Sequence, residues 1–230
     1  MEKFNIAYED NHIIVVVKPQ NIPTQEDESK DQDLLSMLKE YIKEKESKPG
    51  NVYLGLVHRL DRPTGGVMVF AKTSKAASRL TEQIKNGEFK KQYLAVINGK
   101  PREKRGKLVN YLLKNARTNT VQIVPELTTN AKRAELDYEV LESKEKVSLV
   151  KVDLHTGRSH QIRVQMKYLG CPVYGDVKYG GDILAKGHNL ALWAYELRFV
   201  HPTTKENMTF KVYPPEELVP WKVFNLNILK

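Results

Sequence analysis

Apolar positions along the chain come in short alternating or continuous runs far more often than in helical stripes. Residues 4–9 and 12–18 read as two strands joined by a tight Asp10-Asn11 turn, with Pro19 and Pro23 ending the second. Residues 24–33 are polar and read as a loop. Leu34, Leu35, Leu38, Tyr41 and Ile42 then recur at helical spacing, with Asp31 or Asp33 as the cap. An extended stretch at 57–60 and a strongly apolar strand at 67–71 precede a second helix, capped by Ser74, running to Asn86 and stopped by Gly87. Strands are predicted at 93–97, 108–113, 121–124, 134–141 and 148–154, with a basic loop at 101–107. Ser159 is the expected cap of a third helix that reaches Leu169 and ends at Gly170. Residues 190–200 and 207–212 form the arms of a hairpin around His201-Pro202. Strands outnumber helices and short turns join many neighbours. This pattern predicts an α+β fold, a mixed and mostly antiparallel sheet flanked by helices, rather than a doubly wound parallel sheet. Without a repeat or linker, residues 1–230 read as one domain.

Composition narrows the function classes. Hydrophobic residues make up 40% and charged residues 28% of the 230, the balance of a soluble globular protein. The longest apolar run, residues 13–17, is a strand's length and far short of a membrane span. The first residues lack a signal-peptide pattern, so a cytoplasmic location is expected. Cys171 is the single cysteine; it excludes an internal disulfide and a cysteine-based zinc site, and reads as a small core residue. The net charge is +9, and residues 85–117 alone hold ten Lys/Arg against Glu88 and Glu103. Such a field attracts polyanions, although a solvated face would look the same.

Four clusters could carry chemistry. In the first, His58-Arg59-Leu60-Asp61 is followed by Thr64-Gly65-Gly66: a carboxylate beside two basic residues in a loop after an extended stretch. A neighbouring cation favours the ionised carboxylate that a nucleophile needs. The second, Lys90-Lys91-Gln92-Tyr93, sets an aromatic ring beside a basic pair. The third runs from His155 to Arg163 and includes Thr156, Gly157, Arg158, His160 and Gln161; His160 and Arg163 share a helix face if the helix forms. The fourth pairs Tyr174-Gly175-Asp176 with Tyr179-Gly180-Gly181 in a turn-rich loop. Each also has a structural reading. Asp61 and Arg59 can be a surface ion pair, Tyr93 a core residue, and the histidines lack a metal-binding spacing.

The order of these clusters resembles the RluA-type family of pseudouridine synthases. The resemblance lies in HRLDRPTGGVMVFAK around Asp61, Lys91-Gln92-Tyr93-Leu94-Ala95, Thr156 to Arg163, Gly175 to Gly180, His201 to Glu206, and Lys18-Pro19 after the opening strand pair. It implies the pseudouridine-synthase fold and an isomerase that detaches uracil from its ribose, rotates it and rejoins it through carbon. Asp61 would be the nucleophile, attacking the base or the ribose anomeric carbon. Arg163 would pair with Asp61, and Tyr93 would stack on the target base and could assist the final proton removal. His58, Arg59, Thr64, Lys72, Lys91, Arg158, His160 and Gln161 would contact RNA. The resemblance implies ribosomal or transfer RNA as partner, no metal and no organic cofactor. A monomer acting as a single catalytic domain, with no RNA-binding domain in front, is the matching expectation.

Three departures from the family pattern stand out: Gly65 where Ser is common, Gln165 where His is common, and Trp193 in Leu192-Trp193-Ala194 where His is common. Two rival readings fit the same residues. One is a non-catalytic RNA-binding or ribosome-assembly protein, which has no need of Asp61. The other is a glycosidase-like hydrolase with Asp153 or Asp176 as second carboxylate.

Overall fold

The computed structural model describes residues 4–47, 49–181 and 187–229. Among them are eleven strands and three α-helices, in an α+β arrangement with a mostly antiparallel sheet, as the apolar pattern predicts. The chain forms two compact units. The first comprises residues 1–90 and 194–212, the second residues 91–193 and 213–230.

In the first unit, β1 (Asn5–Glu9) and β2 (Ile13–Lys18) form a hairpin whose turn is closed by Asp10, which accepts from the amides of His12 and Ile13. β3 (Gly55–Leu56) and β2 both pair antiparallel with β4 (Gly65–Ala71). The sheet order is β1-β2-β4-β10, with β11 on β10. Every residue of β4 is buried, which explains its continuous apolar run. Helix α1 (Leu34–Lys45) is capped by Asp33, the second of the two expected aspartates. Helix α2 (Ser74–Asn86) starts one residue earlier than expected: Thr73 is the cap, its side chain accepting from the Ala76 amide, and Ser74 is the first helical residue. Gly87 ends α2 in the left-handed conformation. Leu80 and Ala76 of α2 pack on Ile13, Val15, Val67, Val69 and Ala71.

In the second unit, β5 (Lys90–Asn98), β6 (Arg105–Asn115), β7 (Thr120–Val124), β8 (Lys132–Ser143) and β9 (Val147–Leu154) form the antiparallel order β5-β9-β8-β6-β7. The expected basic loop is shorter than 101–107, because β6 begins at Arg105. Arg105 and Lys107 there meet Glu139 and Glu135 of β8, so cross-strand ion pairs extend the ladder. Helix α3 (Gln161–Tyr168) is shorter than predicted and is not capped by Ser159. Its N-cap is His160, left-handed at φ 52° with no side-chain cap bond. Cys171 is buried, as expected, and burial pushes its thiol up. β10 (Leu192–Val200) and β11 (Asn207–Lys211) form the hairpin foreseen around His201; residues 194–212 of it lie in the first unit. No helix among the described residues is long and apolar enough to cross a membrane.

Candidate active site

Asp61 sits in the segment between β3 and β4, which makes no strand of its own. Its neighbours are tied down by backbone carbonyls. Thr24 Oγ1 donates to the Leu60 carbonyl at 2.8 Å. Lys18 Nζ (3.1 Å) and the Asn21 amide (2.8 Å) both donate to the Arg62 carbonyl. Gln20 Nε2 donates to the Pro63 carbonyl at 2.9 Å, and the Thr64 amide closes a turn onto the Asp61 carbonyl at 2.9 Å. The residues on both sides of Asp61 are therefore fixed by segment 18–24, which follows β2.

Lys18 is the centre of that support. It is 0% exposed, and its ammonium also donates to the carbonyls of Pro19 (2.9 Å) and Ile22 (2.6 Å). Burial pushes the Lys18 ammonium down to about 7; the Asp61 carboxylate opposes that shift and the Arg62 guanidinium adds to it. Sequence reading marked Lys18 only as part of a motif. A lysine closing an otherwise apolar buried strand, just before proline, is the signal that could have singled it out.

The other first-unit residues predicted to bind RNA have varied surroundings. Arg59 is exposed. His58 is half-buried, accepts from the Val69 amide through Nε2 at 3.2 Å and lies against the Phe89 ring. Thr64 is buried. Lys72 is engaged within the protein, with Nζ 2.8 Å from both Glu9 and Glu46. Burial alone would lower the Lys72 ammonium, but its bonds to Glu46 and Glu9 outweigh that and hold it up.

In the second unit, β5 carries Lys91 and Tyr93. Tyr93 is 6% exposed, so little of its side chain meets solvent. Lys91 lies against the loop before α3, where a Cβ on Gly157 would fall 3.1 Å from its Nζ; burial lowers this ammonium. Gln161 organises that loop. Its Oε1 accepts from Thr156 Oγ1 (2.8 Å) and the Arg158 amide (3.1 Å), while its Nε2 donates to the Glu135 carbonyl (3.1 Å). Arg158 is exposed and reaches the Arg133 carbonyl through Nε at 2.9 Å.

Arg163, in the first turn of α3, meets Asp176 edge-on. Nε donates to Oδ2 at 2.8 Å and an Nη donates to Oδ1 at 2.7 Å, with side chains 7% and 0% exposed. The amides of Lys178 (3.0 Å) and Tyr179 (3.1 Å) also donate to Asp176 Oδ1. The guanidinium lies over the Tyr179 ring, 5.0 Å from its centre. The Tyr179 hydroxyl takes the Val121 amide (2.8 Å) and shares a hydrogen bond with His160 Nδ1 (2.6 Å). Two glycines allow the loop to take this course. Gly175 is left-handed at φ 77°, and a Cβ on Gly180 would lie 2.6 Å from the Asp176 carbonyl oxygen. The two carboxylates of the hydrolase reading are thus both occupied, Asp176 by Arg163 and Asp153 by Gln92 Nε2 at 2.6 Å.

Of the basic segment, Arg105 and Lys107 are ion-paired, whereas Lys85, Lys90, Lys100, Arg102, Lys104, Lys114 and Arg117 are exposed. Gln165, the departure from the family's His, is buried and donates through Nε2 to Asn110 Oδ1 at 2.8 Å and to the Leu108 carbonyl at 3.2 Å. Among the described residues no group of three or more His, Cys, Asp or Glu side chains could hold a metal ion.

Comparison with known proteins converges on one chemistry. Residues 12–168 match the family model described as RNA pseudouridylate synthase. The chain is 34% identical over 217 residues to the uncharacterized RNA pseudouridine synthase YjbO of Bacillus subtilis (strain 168), covering 93% of this chain and 74% of that one. It is 33% identical over 229 residues to ribosomal large subunit pseudouridine synthase D of Vibrio vulnificus (strain CMCP6), covering 94% and 68%. Human RNA pseudouridylate synthase domain containing 1 superposes with a TM-score of 0.76 at 26% identity, covering 99% of this chain and 93% of that one. The chain belongs to the RNA pseudouridylate synthase family, isomerases that convert uridine in RNA to pseudouridine.

Proposed function

We propose that this chain isomerises specific uridines of ribosomal or transfer RNA in the cytoplasm, acting as a monomer, with Asp61 as the nucleophile. The observation that carries the assignment is the anchoring of the Asp61 segment: the carbonyls of Leu60, Arg62 and Pro63 are each held by a side chain from segment 18–24. A nucleophile must meet its electrophile at one distance and angle, and fixing the backbone on both sides removes the freedom that would otherwise oppose attack. The surface ion-pair reading of Asp61 gives no reason for such support.

The target uridine must leave its stack to reach the carboxylate, at a cost of a few kcal/mol. Tyr93 is assigned to the flipped base, where stacking is worth ~1–3 kcal/mol, and Arg163 to the ionised Asp61. Exposed Arg59, Arg158 and the cations of residues 85–117 supply phosphate contacts. Their summed attraction is steeply salt-dependent, which suits a polyanionic substrate. The name of the Vibrio relative favours ribosomal RNA as the first substrate to test.

The test uses total RNA labelled with tritium at uracil carbon 5, prepared from a strain lacking this gene. Wild-type protein should release label, because that hydrogen leaves when the carbon–carbon link forms. Asp61→Asn should release none while still binding RNA. Release by Asp61→Asn at a rate near wild type would exclude Asp61 as nucleophile. Mapping pseudouridines in the deletion strain against its parent identifies the RNA and the position.

A further inference from the structure

We infer that Asp176 is a positioning residue for the isomerisation: it fixes the guanidinium of Arg163 in one orientation, and so decides where the rest of that guanidinium can act. The inference rests on the reading that Arg163 belongs to the catalytic set.

The geometry is that of a clamp. Asp176 takes Nε and one Nη of Arg163 in a parallel pair of bonds at 2.8 and 2.7 Å. A bidentate pair of this kind fixes the plane of the guanidinium as well as its place. The Tyr179 ring supports one face at 5.0 Å. Asp176 is itself immobile, because the amides of Lys178 and Tyr179 hold the same Oδ1 that receives the Arg163 Nη. Tyr179 is fixed in turn by the Val121 amide and His160. One edge and one face of the guanidinium are thus fixed, and with them the direction in which the rest of the group points.

Stability alone does not account for this pair. A buried ion pair repays its desolvation poorly, and replacing both partners by apolar side chains of similar volume is often neutral or stabilising. An arginine kept 7% exposed against a fully buried aspartate is better explained by a requirement for a fixed cation. The same account covers the fourth sequence motif, from Gly175 to Gly180, which the nucleophile and base-stacking roles leave unused. Gly175 makes the turn, Asp176 and Tyr179 hold Arg163, and Gly180 leaves room for the Asp176 carbonyl.

Asp176→Asn discriminates. Lys178 and Tyr179 keep the amide oxygen at the Oδ1 position, which places an NH2 against the Arg163 Nε–H. Donor then faces donor and the clamp opens on one side. With tritium-labelled total RNA from the deletion strain, kcat should fall ~10–100-fold, the cost of a displacement on the order of 1 Å. Apparent KM should stay within about threefold. Arg163→Met should be at least as impaired, and Asp176→Asn added to it should cost nothing more, because the clamp then has nothing to hold. A folded Asp176→Asn with kcat within about twofold of wild type, or a loss that adds to that of Arg163→Met, overturns the inference. Full activity of Arg163→Met instead removes the underlying assignment of Arg163. If Asp176→Asn does not fold, the wild-type protein decides by NMR. The Arg163 Nε–H signal, identified by its loss in Arg163→Lys, should resist solvent exchange; rapid exchange means there is no clamp.

Discussion

Gly66→Ala is expected to be among the most damaging single-methyl additions in the first unit. Gly66 follows the Asp61 segment at the start of β4 with φ 121°, a conformation that L side chains rarely adopt. A Cβ there would lie 2.2 Å from the Ala194 carbonyl oxygen, 2.5 Å from its nitrogen and 2.8 Å from its carbonyl carbon. All three are backbone atoms and cannot rotate away, so the neighbouring strand must shift. Backbone strain of ~1–3 kcal/mol and an overpacking cost of ~1–3 kcal/mol combine to ~2–6 kcal/mol. Gly87→Ala is the matched control: it too has a positive φ, 73°, but its Cβ meets nothing within 4 Å. That variant should lose only ~1 kcal/mol. At ~2–4 °C per kcal/mol for a chain of this size, the ~3 kcal/mol between the midpoint of that range and the control puts the melting of Gly66→Ala ~6–12 °C below that of Gly87→Ala by calorimetry. It should also lose tritium release, since the shift begins two residues after Thr64. Melting temperatures within ~2 °C of each other would refute the steric argument.

Lys18 should make stability depend on pH. Its ammonium titrates at about 7 in the fold against a usual 10.5, so between those values the unfolded chain binds the extra proton and stability rises with pH. The slope is at most ~1.4 kcal/mol per pH unit. Urea unfolding of Lys18→Met should lack that rise, and parallel curves for the two proteins across pH 7–10 would contradict it. Glu9 works on the acid side. Burial would raise its carboxyl, but hydrogen bonds from Lys45 and Lys72 outweigh this and hold it below the usual value. Its contribution is therefore present at neutral pH and lost as pH falls through the acid range. Glu9→Gln should cost ~1 kcal/mol at pH 7, since Lys45 is half exposed, and should narrow its gap to wild type below pH 4 in thermal melts.

Much of this protein was legible in its sequence because the governing signals are local. The strand runs, the α1 stripe, the Gly87 stop and the turn at Asp10 all depend on neighbours within a few residues and form close to where they are read, except that residues 57–60 make no strand and β3 lies just before them, at Gly55–Leu56. The errors there are small and local too. Thr73 outcompetes Ser74 as cap, and Ser159 leaves α3 uncapped because the chain enters through a left-handed His160. The motifs around Asp61, Tyr93 and Arg163 were likewise visible as residue types in order.

What those residues touch was decided only by tertiary structure. Nothing within reach of Lys18 in sequence shows that it will be buried against the Arg62 carbonyl, 44 positions away. Lys72 is expected by resemblance to contact RNA, yet its ammonium is held by Glu9 of β1 and by Glu46. Half of the meaning of Arg163 lies in Asp176, thirteen residues on, in a loop read only as turn-rich. Local sequence sets backbone preference, since sterics and capping act between near neighbours. Burial, charge and orientation depend on what the folded chain brings alongside, and those properties turn an aspartate, a lysine or an arginine into a working group.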